Sequence, residues 1–189
     1  MKEIRICEIR AENPAGSETL TLTGRPIVYD SPTVINDPAG AYTEIIRSGA
    51  LDGADISDTR LMYNHDTNKV PLARTPKTMK LIKSAAGLDM AAELPDTEEA
   101  RAVYTAVQRG DLTGMSFAFT IPPGGDKWDY RKNTREIVKI GKILEVSVVP
   151  FPAYPKASVE ARAAINALGS SERKAALIAV NKIISKEIS

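Results

Sequence analysis

Through the first two-thirds of the chain, apolar residues tend to recur at every second position. The runs are broken at short intervals by proline, glycine, asparagine or aspartate. A period of two marks a strand with one buried face, and those residues mark turns. EIRICEIRAE reads as a first strand, with a turn at Asn13-Pro14-Ala15-Gly16. TLTLTGRPIVYDSP reads as a second strand, bent at Gly24. SPTVINDPAGAY reads as a loop and YTEIIRSGAL as a short helix ending at Gly49. TRLMYNHD starts as a strand and ends polar. PLARTPKTMKLIKSAAGLDMAAEL has the pattern of a β-meander with its clearest turn at Ser84-Ala85-Ala86-Gly87. LTGMSFAFTI is a strand, and PPGGDKWDYRKNTRE is a long polar excursion, either a hairpin tip or a loop. IVKIGKILEVSVVPFPAYP supplies one or two strands before a proline-broken exit.

The period changes once inside this region. DTEEARAVYTAVQRG carries Ala102, Val103, Ala106 and Val107 at helical spacing, with Asp96 expected as N-cap, Glu99 three residues on and Gly110 as the stop. Beyond Lys156, ASVEARAAINAL and ERKAALIAVNKIIS read as two helices split by Gly169-Ser170-Ser171. The expectation is an α+β, mainly β, domain over residues 1–160 and a helical tail over 161–189. The 189 residues are enough for one domain with a real core.

Composition excludes several classes. The net charge of +1 and the lack of a dense Lys/Arg run predict neither nucleic acid nor an acidic partner. One cysteine, Cys7, permits no intrachain disulfide framework and no cysteine-rich zinc site, so no metal or cofactor is expected. Cys7 reads as a small strand or core residue. Neither a signal peptide nor an apolar run of membrane-spanning length is seen, so a soluble intracellular protein is expected.

Three polar residues stand out against this background. Ser116 alternates with Met115, Phe117 and Phe119, and shares its face with Gly114, Ala118 and Thr120. Small residues there leave room for an approaching group, or they are simply covered by another layer. His65 is the single histidine, at the polar end of a strand. It is either a surface residue or the one side chain suited to moving protons near neutrality. Glu145 lies in an otherwise apolar strand, where strict alternation puts Leu144, Val146 and Val148 on one face and Ile143, Glu145, Ser147 and Val149 on the other. It faces water or a partner, since burying it unpaired is expensive. Together the three suit serine acyl transfer, in which a base takes the hydroxyl proton and a carboxylate orients the base. The chain order His, Ser, Glu is not that of chymotrypsin, subtilisin or the α/β-hydrolases, and Ala118 stands where a G-x-S-x-G elbow needs glycine.

The ordered set of segments resembles the capsid maturation (prohead) proteases of tailed double-stranded-DNA phages. It comprises G-x-P-I-V-Y at Gly24 to Tyr29, YTEIIRSGAL, NHD around His65, GLDMAAELPDTEEARAVYTAVQRGDLTGMSFAF and ILEVSVVPFPAYPKA, covering roughly residues 15–160. The resemblance implies a serine endopeptidase related in fold to the herpesvirus assemblins, a closed antiparallel β-barrel surrounded by helices. It implies His65 as base and Ser116 as nucleophile. Assemblins use a second histidine that this chain lacks. The phage branch uses an acidic residue instead, which maps best onto Glu145, with Asp66 and Glu136 as lesser candidates. It further implies action inside the procapsid in the host cytoplasm on scaffold or the scaffolding part of the major capsid protein, autocleavage, and self-association. The tail would be a docking, dimer or self-cleaved segment. The competing expectations are a non-enzymatic assembly protein on the same fold and a small β-barrel esterase.

Overall fold

The structure is a computed structural model and describes residues 3–12, 19–37 and 40–150. The expected tail helices and the turn at Asn13–Gly16 lie outside the described residues. So do the side chains of residues 3–8, among them that of Cys7.

Strands dominate, as the period-two pattern requires. They are β1 (Glu3–Glu12), β2 (Leu20–Val28), β3 (Thr33–Asp37), β4 (Gly40–Ile46), β5 (Arg60–Tyr63), β6 (Ala73–Arg74), β7 (Met79–Ser84) and β8 (Gly87–Leu94). After helix α1 (Glu98–Arg109) come β9 (Gly114–Thr120), β10 (Asp126–Asp129), β11 (Thr134–Ile137) and β12 (Lys142–Val149). Eight strands form one sheet in the order β6-β5-β12-β9-β1-β2-β8-β7, and four form a second in the order β10-β11-β4-β3.

This corrects the expected closed barrel. The two ends of the large sheet, β6 and β7, do not pair with one another among the described residues. β6 is only two residues long, and the chain turns away at once through Thr75–Thr78, closed by the Thr78 N–H donating to the Arg74 carbonyl at 3.0 Å. Pro76 inside that turn has no N–H to extend a ladder. Nor is the pairing wholly antiparallel, because β12 runs parallel to β5 and β11 parallel to β4. One helix, rather than a surrounding layer of them, is present among the described residues.

Two local expectations also change. YTEIIRSGAL is not a helix. Its Tyr42–Ile46 run joins β4, where β-branched Thr43, Ile45 and Ile46 favour a pleated strand, held between β3 and β11. The chain turns only afterwards, at Arg47–Gly53, with Gly49 in the left-handed region at φ 84°. The expected loop SPTVINDPAGAY contains β3, in which Thr33, Val34 and Ile35 again are β-branched. The bend at Gly24 is present as a register shift between Gly24 and Ile27 in the β2–β8 ladder, around Pro26. The hairpin at Ser84–Gly87 is as expected. Gly87 is required there, because a Cβ would come within 1.9 Å of the Ile27 carbonyl oxygen.

β9 is the strand on which the core is organised. It is flanked by β1 and β12 and is buried on both faces from Gly114 to Phe119. One face is the apolar row Met115, Phe117 and Phe119, with the two phenyl rings stacked at 5.2 Å. These belong to the same apolar cluster as Val103, Tyr104 and Val107 of α1. The helix itself starts one residue later than expected. Thr97, not Asp96, is the N-cap, and its side chain accepts from the Ala100 N–H at 3.3 Å. Asp96 pairs instead with Arg101, and Glu99 with Lys69. Gly110 closes the helix in the left-handed conformation at φ 82°.

Thr97→Ala is expected to lower stability by about 1 kcal/mol, the usual worth of an N-cap. Asp96→Ala should cost a fraction of that, because its ion pair is exposed. Urea unfolding of both variants measures the difference.

Candidate active site

The site is built where β9, β12 and the end of β5 meet. β9 and β12 are antiparallel, with Phe117 opposite Val146, Ser116 opposite Ser147 and Met115 opposite Val148. Paired residues share a face. Strict alternation would therefore put Glu145 opposite Phe117 if Ile143 lay opposite Phe119 without interruption. The ladder instead slips by one residue between Ile143 and Glu145. Ile143 stays opposite Phe119 in the apolar row, and Glu145 lands opposite Ala118 in the row of Ser116. The expected common face for Ile143 and Glu145 is thus corrected. The unpaired Leu144 absorbs the change of face.

Glu145 is 5% exposed, so it does not face water. It has partners instead. Its Oε1 lies 2.6 Å from His65 Nδ1, and its Oε2 accepts from Ser147 Oγ at 2.5 Å. A carboxylate only accepts, so His65 Nδ1 carries a proton. In the neutral ring, Nε2 is then the free lone pair.

His65 reaches this position by a tight turn. β5 ends at Tyr63, and Asn64 and His65 both take left-handed conformations, at φ 52° and 56°. The Asp66 N–H closes the turn onto the Tyr63 carbonyl at 3.1 Å. Two consecutive left-handed residues are the mark of a type I′ turn, and asparagine tolerates that region better than most. The turn is fixed to β12, because the Asn64 N–H donates to the Val148 carbonyl at 2.8 Å and the His65 N–H to Ser147 Oγ at 3.3 Å.

Ser116 is fully buried. Its Oγ and His65 Nε2 are the two buried side-chain polar atoms without a hydrogen-bond partner among the described residues. Buried polar atoms are nearly always satisfied, so an unsatisfied pair calls for a reason. The lesser acidic candidates are engaged elsewhere. Asp66 Oδ1 accepts from the Asn68 N–H at 3.0 Å within its own turn. Glu136 pairs with Arg47, whose guanidinium holds the Glu136 carboxyl below its usual range. Ser147 is the residue that sequence reasoning passed over. The signal was available as the i, i+2 spacing of Glu145 and Ser147, which on a strand puts two side chains on one face. No cluster of His, Cys, Asp and Glu able to hold a metal occurs among the described residues. The arrangement has the parts for moving a proton to and from a serine hydroxyl.

A family model described as caudovirus prohead serine protease matches residues 6–170. No curated protein and no solved structure matches the chain. The match extends about ten residues further at each end than the segments that carry the resemblance in the sequence.

The short Nδ1–Glu145 contact predicts a low-field imidazole proton in the NMR spectrum, assignable at once because the chain has one histidine. Glu145→Gln should move that signal far upfield or abolish it. Asp66→Asn and Glu136→Gln should leave it in place; loss of the signal in either would mean that His65 is oriented by a different carboxylate.

Proposed function

The chain belongs to the caudovirus prohead serine protease family and is a serine peptidase of capsid maturation; we propose that Ser116 is its nucleophile, His65 its general base and Glu145 the carboxylate that orients the base. The observation that carries this reading is the pair of unsatisfied buried atoms, Ser116 Oγ and His65 Nε2, with a carboxylate bonded to the other side of the same ring.

In the proposed reaction Ser116 Oγ attacks the scissile carbonyl carbon while its proton passes to His65 Nε2. The imidazolium is stabilised by Glu145, which is already desolvated and already aligned, so little reorganisation accompanies the charge. The tetrahedral intermediate collapses as His65 returns the proton to the leaving amine, leaving an acyl-enzyme at Ser116. Water, deprotonated by the same Nε2, then attacks the acyl carbon, and His65 returns that proton to Ser116 Oγ as the new carboxyl end is released. Both reactive atoms are buried, so a peptide reaches them only after groups covering the site move. A slow response to a serine-directed phosphonate is therefore expected of the free enzyme.

The proposed substrates are the scaffold or the scaffolding part of the major capsid protein, and the chain itself, cut within the assembling procapsid. The segment 161–189 is proposed as the docking, dimer-forming or self-cleaved part. A non-enzymatic assembly protein would have no need of a histidine oriented by a buried carboxylate and a buried serine hydroxyl left unpartnered, which disfavours that alternative.

Intact mass followed over time, for wild type and Ser116→Ala each co-expressed with the major capsid protein of the same phage, tests the reading. Wild type should trim the capsid protein or itself. Ser116→Ala should fold and lose roughly 10³-fold or more of the rate. Cleavage surviving that substitution would sink the assignment. Glu145→Gln should slow cleavage by roughly 10²- to 10⁴-fold. Where neither protein changes mass, the same comparison on isolated procapsids separates an enzyme that awaits assembly from a serine that is only packed.

A further inference from the structure

Ser147 sits where three demands converge. It lies opposite Ser116 in the β9–β12 ladder and opposite Met62 in the β12–β5 ladder, so it is central to the strands that bear the site. It is fully buried. Its Oγ accepts from the His65 backbone N–H at 3.3 Å and donates to Glu145 Oε2 at 2.5 Å, while Glu145 Oε1 meets His65 Nδ1 at 2.6 Å. The hydrogen bonds close a ring through His65 backbone, Ser147 hydroxyl, Glu145 carboxylate and His65 imidazole.

We propose that Ser147 is a positioning residue that fixes base and carboxylate relative to one another by this ring. The inference rests on the reading of His65 and Glu145 as base and orienting group. The argument is one of alternatives. A hydroxyl facing a carboxylate at 2.5 Å is the donor, since the carboxylate has no proton to give. Its lone pairs are then left to receive the His65 N–H. Without the hydroxyl, that N–H loses its acceptor and the left-handed turn of Asn64 and His65 loses one of its two bonds to β12. Glu145 loses the donor that Ser147 supplies to its Oε2. Both halves of the pair loosen together, although Ser147 is not assigned contact with any reacting atom.

The experiment compares Ser147→Ala and Ser147→Thr in two settings. In the first, each is combined with Ser116→Ala, and the low-field imidazole proton is observed without any substrate. The expected result is an upfield shift or broadening with Ser147→Ala and retention with Ser147→Thr, whose hydroxyl can close the same ring. In the second, each single variant is assayed on the capsid protein in procapsids. Ser147→Ala should lower kcat about tenfold or more with KM little changed. Ser147→Thr should recover most of that rate. If Ser147→Ala does not fold, Ser147→Cys replaces it, filling the same space with a much weaker donor. An unmoved imidazole proton together with an unchanged kcat in folded protein overturns the proposal. Equal loss in the Ala and Thr variants overturns it too, since that outcome means packing. The NMR arm does not require Ser116 to be the nucleophile, so failure of that assignment and failure of this one are told apart.

Discussion

A carboxylate buried inside an apolar strand is the constraint around which the other features of the site are arranged. Glu145 is 5% exposed, and an ionised group so placed has to be met by donors on nearly every side it presents. Two are identified, the imidazole Nδ1–H of His65 and the hydroxyl of Ser147. Satisfying the charge therefore defines the tautomer of the ring, the direction the ring faces and the side chain that must stand two residues along β12. The same contacts that make burial tolerable also leave Nε2 as an unoccupied lone pair. The polar chemistry of the site follows from solving an electrostatic problem in the core.

That solution depends on a fault in the β-ladder. β9 presents large apolar residues on one face and small or polar ones on the other, and β12 has to match both rows. Ile143, Val146 and Val148 fill the first row opposite Phe119, Phe117 and Met115, while Glu145 and Ser147 fill the second opposite Ala118 and Ser116. No strictly alternating strand satisfies both requirements with Ile143 and Glu145 two residues apart. The extra residue, Leu144, reconciles them. A bulge is a recurring device for re-aiming a side chain, and here it moves a charge from the phenylalanine row to the serine row.

Much of the site was legible in the sequence because its residue types are rare in their settings. A lone histidine, a serine among phenylalanines and a glutamate among valines are each conspicuous. Ser147 was not, because serine in a strand attracts no notice until its neighbour is known to be buried. Registers were illegible for a related reason. Alternation assigns faces only while it is unbroken, and nothing in KILEVSVV announces that Leu144 is skipped. The fold was read correctly where pattern and propensity agreed, as at the β7–β8 hairpin and in α1. It was misread in YTEIIRSGAL and SPTVIND, where β-branched residues outweighed the helical or loop-like spacing once strand partners were available. The closed barrel came from resemblance alone, and among the described residues the two-residue β6 leaves the sheet open.

The placement of the site also explains how its geometry is held. β5, β12 and β9 are consecutive neighbours in the large sheet, and their ladders are continued on either side by β6 and β1. Each of the polar residues is therefore carried by backbone whose hydrogen bonds are made on both edges, apart from the turn at Asn64 and His65. That turn is the one left-handed, strain-bearing segment of the site, and it is tied down by two bonds to β12. The apolar row behind the site, from Met115 to Phe119, supplies burial that offsets two unsatisfied polar atoms, each of which costs about 1–3 kcal/mol. The proposed nucleophile is thus kept on a rigid element, and the energetic penalty of keeping a hydroxyl and an imidazole nitrogen unbonded is offset by the opposite face of the same strand.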